Sequence, residues 1–183
     1  MWTRAFVSGV VGATLLASPL LATPAIAAPA ASPAAPQVAT IYYDVSGAPT
    51  FRDAIRAGLA NWNASVHNVQ FKENSANSTL RYTEGNDAQN GSHANTDGHG
   101  HGTIFIDYTQ ARQYDQVRIT AHESGHALGL PDHYSGPCSE LMSGGGPGPT
   151  CHNARPNADE IARVEGLWAN GLAASSAPTL IYN

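Results

Sequence analysis

Positive charge is scarce in this sequence. Nine Lys and Arg stand against fourteen Asp and Glu over 183 residues, for a net charge of −5. Binding to nucleic acid or to an anionic membrane face needs a basic patch, so both partner classes are excluded on this balance. Cysteine is scarcer still. Two residues, Cys138 and Cys151, exclude a disulfide-dense mini-protein and a four-cysteine zinc module. No internal repeat is visible, which excludes a solenoid. Aromatic residues are not lacking: three Trp, seven Tyr and four Phe can anchor a core, so the chain is not disordered throughout. One compact, mildly acidic domain, expected as a monomer, is what remains.

Charge is absent altogether between Arg4 and Asp44. Within that stretch, residues 6–21 are apolar and Ala25-Ile26-Ala27 supplies a small-x-small cleavage pattern, so residues 1–27 read as a secretory signal peptide. A membrane anchor is the competing reading, but Pro19, Pro24 and Pro29 interrupt the run. Residues 28–38, rich in Ala, Pro and Ser, read as a short pro-segment or linker. The globular domain is expected over 39–171, followed by a tail at 172–183.

Along that domain the pattern predicts an α+β fold: a small twisted mixed sheet with three helices. Strands are expected at 40–43, 69–72, 80–83 and 103–108, the last as a sheet edge along which an extended peptide could add. Phe51, Ile55, Leu59, Trp62 and Val66 form one apolar helical stripe, with Thr50 as its expected cap. Residues 85–102, rich in Gly and Asn, read as a long surface loop. Its His93, His99 and His101 are better explained as loop residues than as a second metal site. A second helix is expected over 114–128, closed by Gly129 with Pro131 beyond. A third should be capped by Asn157, with Glu160 three residues on and an apolar face of Ile161, Val164, Leu167 and Trp168.

The second helix carries the chemistry. His122-Glu123-Ser124-Gly125-His126 is His-Glu-x-x-His, whose four-residue spacing stacks both imidazoles on one helix face. Two neutral imidazoles suit zinc, and Glu123 lies close without needing to ligate. Gly129 follows three residues after His126, and Asp132 three after Gly129. A left-handed glycine there would swing the chain back and bring a third side chain to the metal. This is the metzincin pattern with Asp132 in place of the usual His. His133 competes as third ligand but is one residue out of register.

With these residues in view, the stretch from His122 to Cys151 resembles the snapalysin family of small neutral metalloproteinases. The likeness runs over about residues 40–171, including Asp97-Gly98-His99-Gly100 and Leu167-Trp168-Ala169-Asn170-Gly171. The resemblance implies a single metzincin-like domain, with zinc on His122, His126 and Asp132 and with Glu123 as the catalytic base. It also implies a Met-turn at Met142, a calcium ion near Asp115 and a preference for Tyr or Phe just after the scissile bond. The family's Thr two residues after that Asp is Val117 here, which offers only its carbonyl. The dozen residues after Gly171 lie beyond the likeness.

Three protein ligands leave a fourth zinc position for water, whose pKa the metal lowers. Glu123 then takes the water's proton and returns it to the leaving amine. Tyr134, two residues after Asp132, is the nearest candidate donor to the oxyanion. In a secreted chain Cys138 and Cys151 can pair, bracing the Gly/Pro-rich loop by about 3 kcal/mol in the loop-entropy picture; zinc ligation by the cysteines is the weaker reading. The expectation is a secreted zinc endopeptidase acting on proteins or peptides. A zinc amidase of another class and a non-catalytic secreted zinc-binding protein are the alternatives.

Overall fold

The computed structural model describes residues 38–171 and 180–182, so the expected signal peptide lies outside the described residues. Strand β1 (Ala39–Gly47) turns its alternate residues Ala39, Ile41, Tyr43 and Val45 into the core. It pairs in parallel with β2 (Val69–Glu73) on one side and β3 (Leu80–Gly85) on the other. β3 pairs in parallel with β5 (Gly102–Asp107), and β4 (His93–Thr96) runs antiparallel to β5. A short strand β6 (Leu180–Tyr182) pairs antiparallel with β4, giving the order β2-β1-β3-β5-β4-β6.

Two expectations are corrected here. The 85–102 segment is not all loop, because it contains β4. In consequence β5 is an interior strand rather than an edge, with β4 beyond it and β6 ending the sheet on that side. His-Ala-Asn-Thr has weak strand propensity, and pairing with β5 supplies what local sequence does not.

Helix α1 (Arg52–Asn63) buries Ile55, Leu59 and Trp62, as its stripe predicts. Thr50 does not cap it. The N-cap is Phe51, without a side-chain bond, and the Thr50 hydroxyl donates to Glu84 at 2.7 Å instead. A short helix α2 (Tyr108–Gln113), capped by Asp107, precedes α3 (Gln116–Ala127), so Tyr108 ends no strand and the α-helices among the described residues number four. Helix α4 (Ala158–Leu167) opens with the expected Asn157–Glu160 capping box.

Helix α3 is the buried centre of the fold. Gly58 lets α1 close on it, since a Cβ there would lie 2.8 Å from the Ala121 nitrogen. The Trp62 indole N–H donates to the Ala121 carbonyl at 2.8 Å, and the Tyr82 hydroxyl meets Ser124 Oγ at 2.8 Å. A polar contact on each side thus sets α3 against α1 and against the sheet, at positions that fix where His122 and His126 point.

Candidate active site

Every residue of α3 from Arg118 to Ala127 is buried, including His122, Glu123 and His126. A helix with so polar a buried face needs partners for each group. His122 Nδ1 lies 3.0 Å from the Leu141 carbonyl and His126 Nδ1 lies 2.7 Å from the Leu130 carbonyl. Both carbonyls can only accept, so each Nδ1 carries a proton and Nε2 is the ring atom left to face the site.

The chain returns to these atoms as the spacing predicts. Gly129 adopts φ +93°, and the segment after it brings Asp132 Oδ1 to 3.1 Å from His122 Nε2 and 3.3 Å from His126 Nε2. One ligand atom from each of the three residues lies within 4.8 Å of the others, the one such group among the described residues. Asp132 Oδ1 is nevertheless buried without a hydrogen bond. Two ring nitrogens and one carboxylate oxygen converging in this space are a donor set that suits zinc. Burial would raise the Asp132 pKa, but the His122 and His126 rings beside it hold the carboxyl well below the usual range.

Glu123 sits beside this group with Oε2 buried and unpartnered. Its carboxyl is pushed up to about 7 by burial; His122 opposes the shift and the negative Asp132 adds to it. Tyr134 is half-exposed, hydrogen-bonds the Asp132 side chain and has its ring 6.5 Å from that of His122. Burial, Asp132 and Glu123 all raise its pKa, so the phenol stays protonated.

His133 is turned away, paired through Nδ1 with Glu140 on the surface. Met142 is buried beneath α3, its N–H and that of Leu141 held by the Glu160 carboxylate at 2.7 and 3.1 Å. Gly144 sits at φ +53°, where a side chain is strained, and a Cβ there would press at 3.0 Å on both His122 Cε1 and Tyr134 Cε1. Cys138 and Cys151 form a disulfide that closes this loop. Asp115, the candidate calcium residue, caps α3 by accepting from the Arg118 N–H and meets His152 Nδ1 at 3.2 Å. His99 stacks on Trp168 and His101 pairs with Asp97.

Residues 38–171 match the profile of the Streptomyces extracellular neutral proteinase (M7) family. The chain belongs to that family. It is 60% identical over 132 residues to the extracellular small neutral protease of Streptomyces caespitosus, covering 72% of this chain and 98% of that one. It is 57% identical over 145 residues to the protein of the same name from Streptomyces lividans, covering 79% of this chain. The chain spans 63% of the length of that relative. The M7 match stops at residue 171, so β6 lies beyond it.

One member of the site was missed from the sequence. Arg118 is 3% exposed and lines the cavity beside Glu123 together with Tyr114, Ile119 and Gly145. It donates to the carbonyls of Gly144, Glu140 and Asn153 and to Ser143 Oγ, so its charge is spent on the loop that floors the site. Its position four residues before His122, on the same helix face, was the available signal.

Proposed function

We propose that this chain is a secreted zinc endopeptidase of proteins and peptides, in which His122, His126 and Asp132 hold the metal. The observation that carries the reading is the convergence of those three ligand atoms around a buried, unpartnered Asp132 oxygen, with an unpartnered Glu123 oxygen beside it. Bound zinc supplies Lewis acidity toward a peptide carbonyl and makes water more acidic.

The chain's own groups do the rest. Glu123 takes a proton from the attacking water and delivers it to the amine as the C–N bond breaks. Its buried carboxylate has no other hydrogen-bond partner on Oε2, so it is free to move that proton. Tyr134, held protonated, donates to the developing oxyanion. The cavity lined by Tyr114, Ile119 and Gly145 would take the residue after the scissile bond. The cation in its wall, Arg118, has four of its five N–H groups bonded to the loop, so a neutral aromatic side chain such as Tyr or Phe fits better than an acidic one. Secretion rests on the leader pattern and on the "extracellular" names of the relatives. A calcium ion at Asp115 would take the place of the His152 contact, and a calcium-dependent Tm lost in Asp115→Ala would establish it.

The decisive experiment is a casein digest by the purified chain with and without chelator, beside Glu123→Ala. Chelation should abolish cleavage and zinc restore it. Glu123→Ala should retain one zinc per chain while losing about 10²–10⁴ in rate. Undiminished cleavage under chelation would overturn the proposal.

A further inference from the structure

Strand β4 lies along the helix that carries the site. The cavity wall that includes His122 and Glu123 also includes Ser92, the residue just before β4, and the Thr96 hydroxyl at its far end donates to the His126 carbonyl at 3.4 Å. One edge of β4 is paired with β5. The other is the edge on which an extended peptide would be seated, because an unpaired strand edge offers a row of backbone donors and acceptors to any extended chain.

In this protein that edge is taken by the chain itself. Leu180 stands opposite Thr96, Ile181 opposite Asn95 and Tyr182 opposite Ala94, antiparallel. The segment therefore runs from the His126 end of the site toward Ser92 and the cavity. Its ladder is made by backbone groups, which any substrate also has. It belongs to the stretch after residue 171 that the family match does not reach.

We propose that β6 is a built-in competitor: it occupies the peptide-binding edge of β4 as a substrate would, and substrate must displace it. The inference rests on the protease reading above. β6 is part of the same chain as the family domain, so its pairing with β4 is intramolecular and does not depend on protein concentration. Weak backbone pairing is then enough to keep the edge occupied. Because the tail blocks binding and leaves the catalytic groups untouched, its removal changes KM and not kcat.

The test compares the full chain, a form ending at Gly171, and full-length Tyr182→Pro. Asp97 and Asn95 turn their backbone groups to β5, so Ala94 and Thr96 face β6, and a proline at Tyr182, opposite Ala94, removes one ladder N–H. Amide exchange is followed at 93–96 and peptide cleavage is measured in parallel. The outward amides of β4 should exchange faster in both altered forms while those of β5 hold. KM should fall about 3- to 10-fold with kcat unchanged, the change expected if the tail holds about 70–90% of molecules closed. A synthetic peptide of residues 174–183 should inhibit the shortened form competitively. Unchanged β4 exchange, or faster exchange with an unchanged KM, overturns the inference and leaves the protease reading standing. Absence of cleavage in all three forms overturns the protease reading, and the competitor with it.

Discussion

Arg118 Nη2 donates to Ser143 Oγ at 2.8 Å, joining the helix that carries His122 to the turn that carries Met142. Three further bonds, to the carbonyls of Gly144, Glu140 and Asn153, make this side chain a clamp between α3 and the disulfide-closed loop. Burial lowers the Arg118 pKa, while Glu160 and Asp115 oppose that shift and help keep it charged.

Arg118→Ala should therefore lower stability by at least about 3 kcal/mol, since it strands several buried acceptors. Arg118→Lys keeps the charge but lacks the planar fork that reaches acceptors in several directions, so it should recover only part of the loss. Urea unfolding of the three proteins checks this. Equal midpoints for Arg118→Ala and the unaltered chain would show that the clamp carries no load.

Gly125 and Met142 make a second such junction. A Cβ on Gly125 would lie 2.5 Å from Met142 Sδ and 3.2 Å from Trp62 Cζ2. Gly125→Ala should destabilise by about 1–3 kcal/mol through overpacking. Because the nearer obstacle is a flexible thioether, shortening it should restore room. In the double variant Gly125→Ala with Met142→Ala, the two effects should fall short of their sum by at least about 0.5 kcal/mol. Strict additivity in a double-mutant cycle would mean that the two residues do not press on each other.

Glu165 provides a pH-dependent contribution outside the candidate site. Burial raises its pKa, but the His67 ring, the His67 N–H and the Asn68 N–H together pull it below the ordinary value. A depressed carboxylate adds stability above its unfolded-state pKa, and that stability is lost as pH falls through the folded-state value. Glu165→Gln should thus be less stable than the unaltered chain at pH 7, by about 1–2 kcal/mol. The gap should narrow as pH falls below the ordinary carboxylate value near 4.5. Denaturation series at several pH values would show it; a gap independent of pH would contradict the assignment.

What was legible in the sequence was local. The four-residue histidine spacing, the left-handed Gly129 and the Asn157–Glu160 box each depend on a turn or two of chain, and each stands in the structure as read. What was hidden depends on partners distant in sequence. Four residues of His-Ala-Asn-Thr become β4 because Phe105, Ile104, Thr103 and Gly102 lie opposite. Helix α2 was concealed because Tyr108 continues the alternation of β5, while the Asp107 side chain, accepting from the Gln110 N–H, starts a helix there. Glu160 was legible as a cap, but not as the acceptor that also holds Leu141 and Met142 from across the loop.

Asp132 and His133 are neighbours in sequence and opposites in placement, and this separates them by experiment. Asp132 Oδ1 faces both Nε2 atoms, whereas the His133 side chain is 61% exposed and bound to Glu140. Asp132→Ala should remove one of three ligand atoms and lose both zinc and cleavage. His133→Ala removes only a surface pair and a neighbour of a ligand, so zinc stoichiometry should stay near one, with affinity falling by at most about 10–100-fold. Asp132→His tests geometry rather than charge: it offers a nitrogen, but on a longer side chain within a space set by the Leu130 carbonyl and the 129–132 turn. It should bind zinc more weakly than the unaltered chain and more strongly than Asp132→Ala. Zinc content and peptide cleavage for the three variants, measured side by side, decide the matter. Loss of zinc in His133→Ala with retention in Asp132→Ala would reverse the assignment, because the surface residue and not the buried oxygen would then be holding the metal.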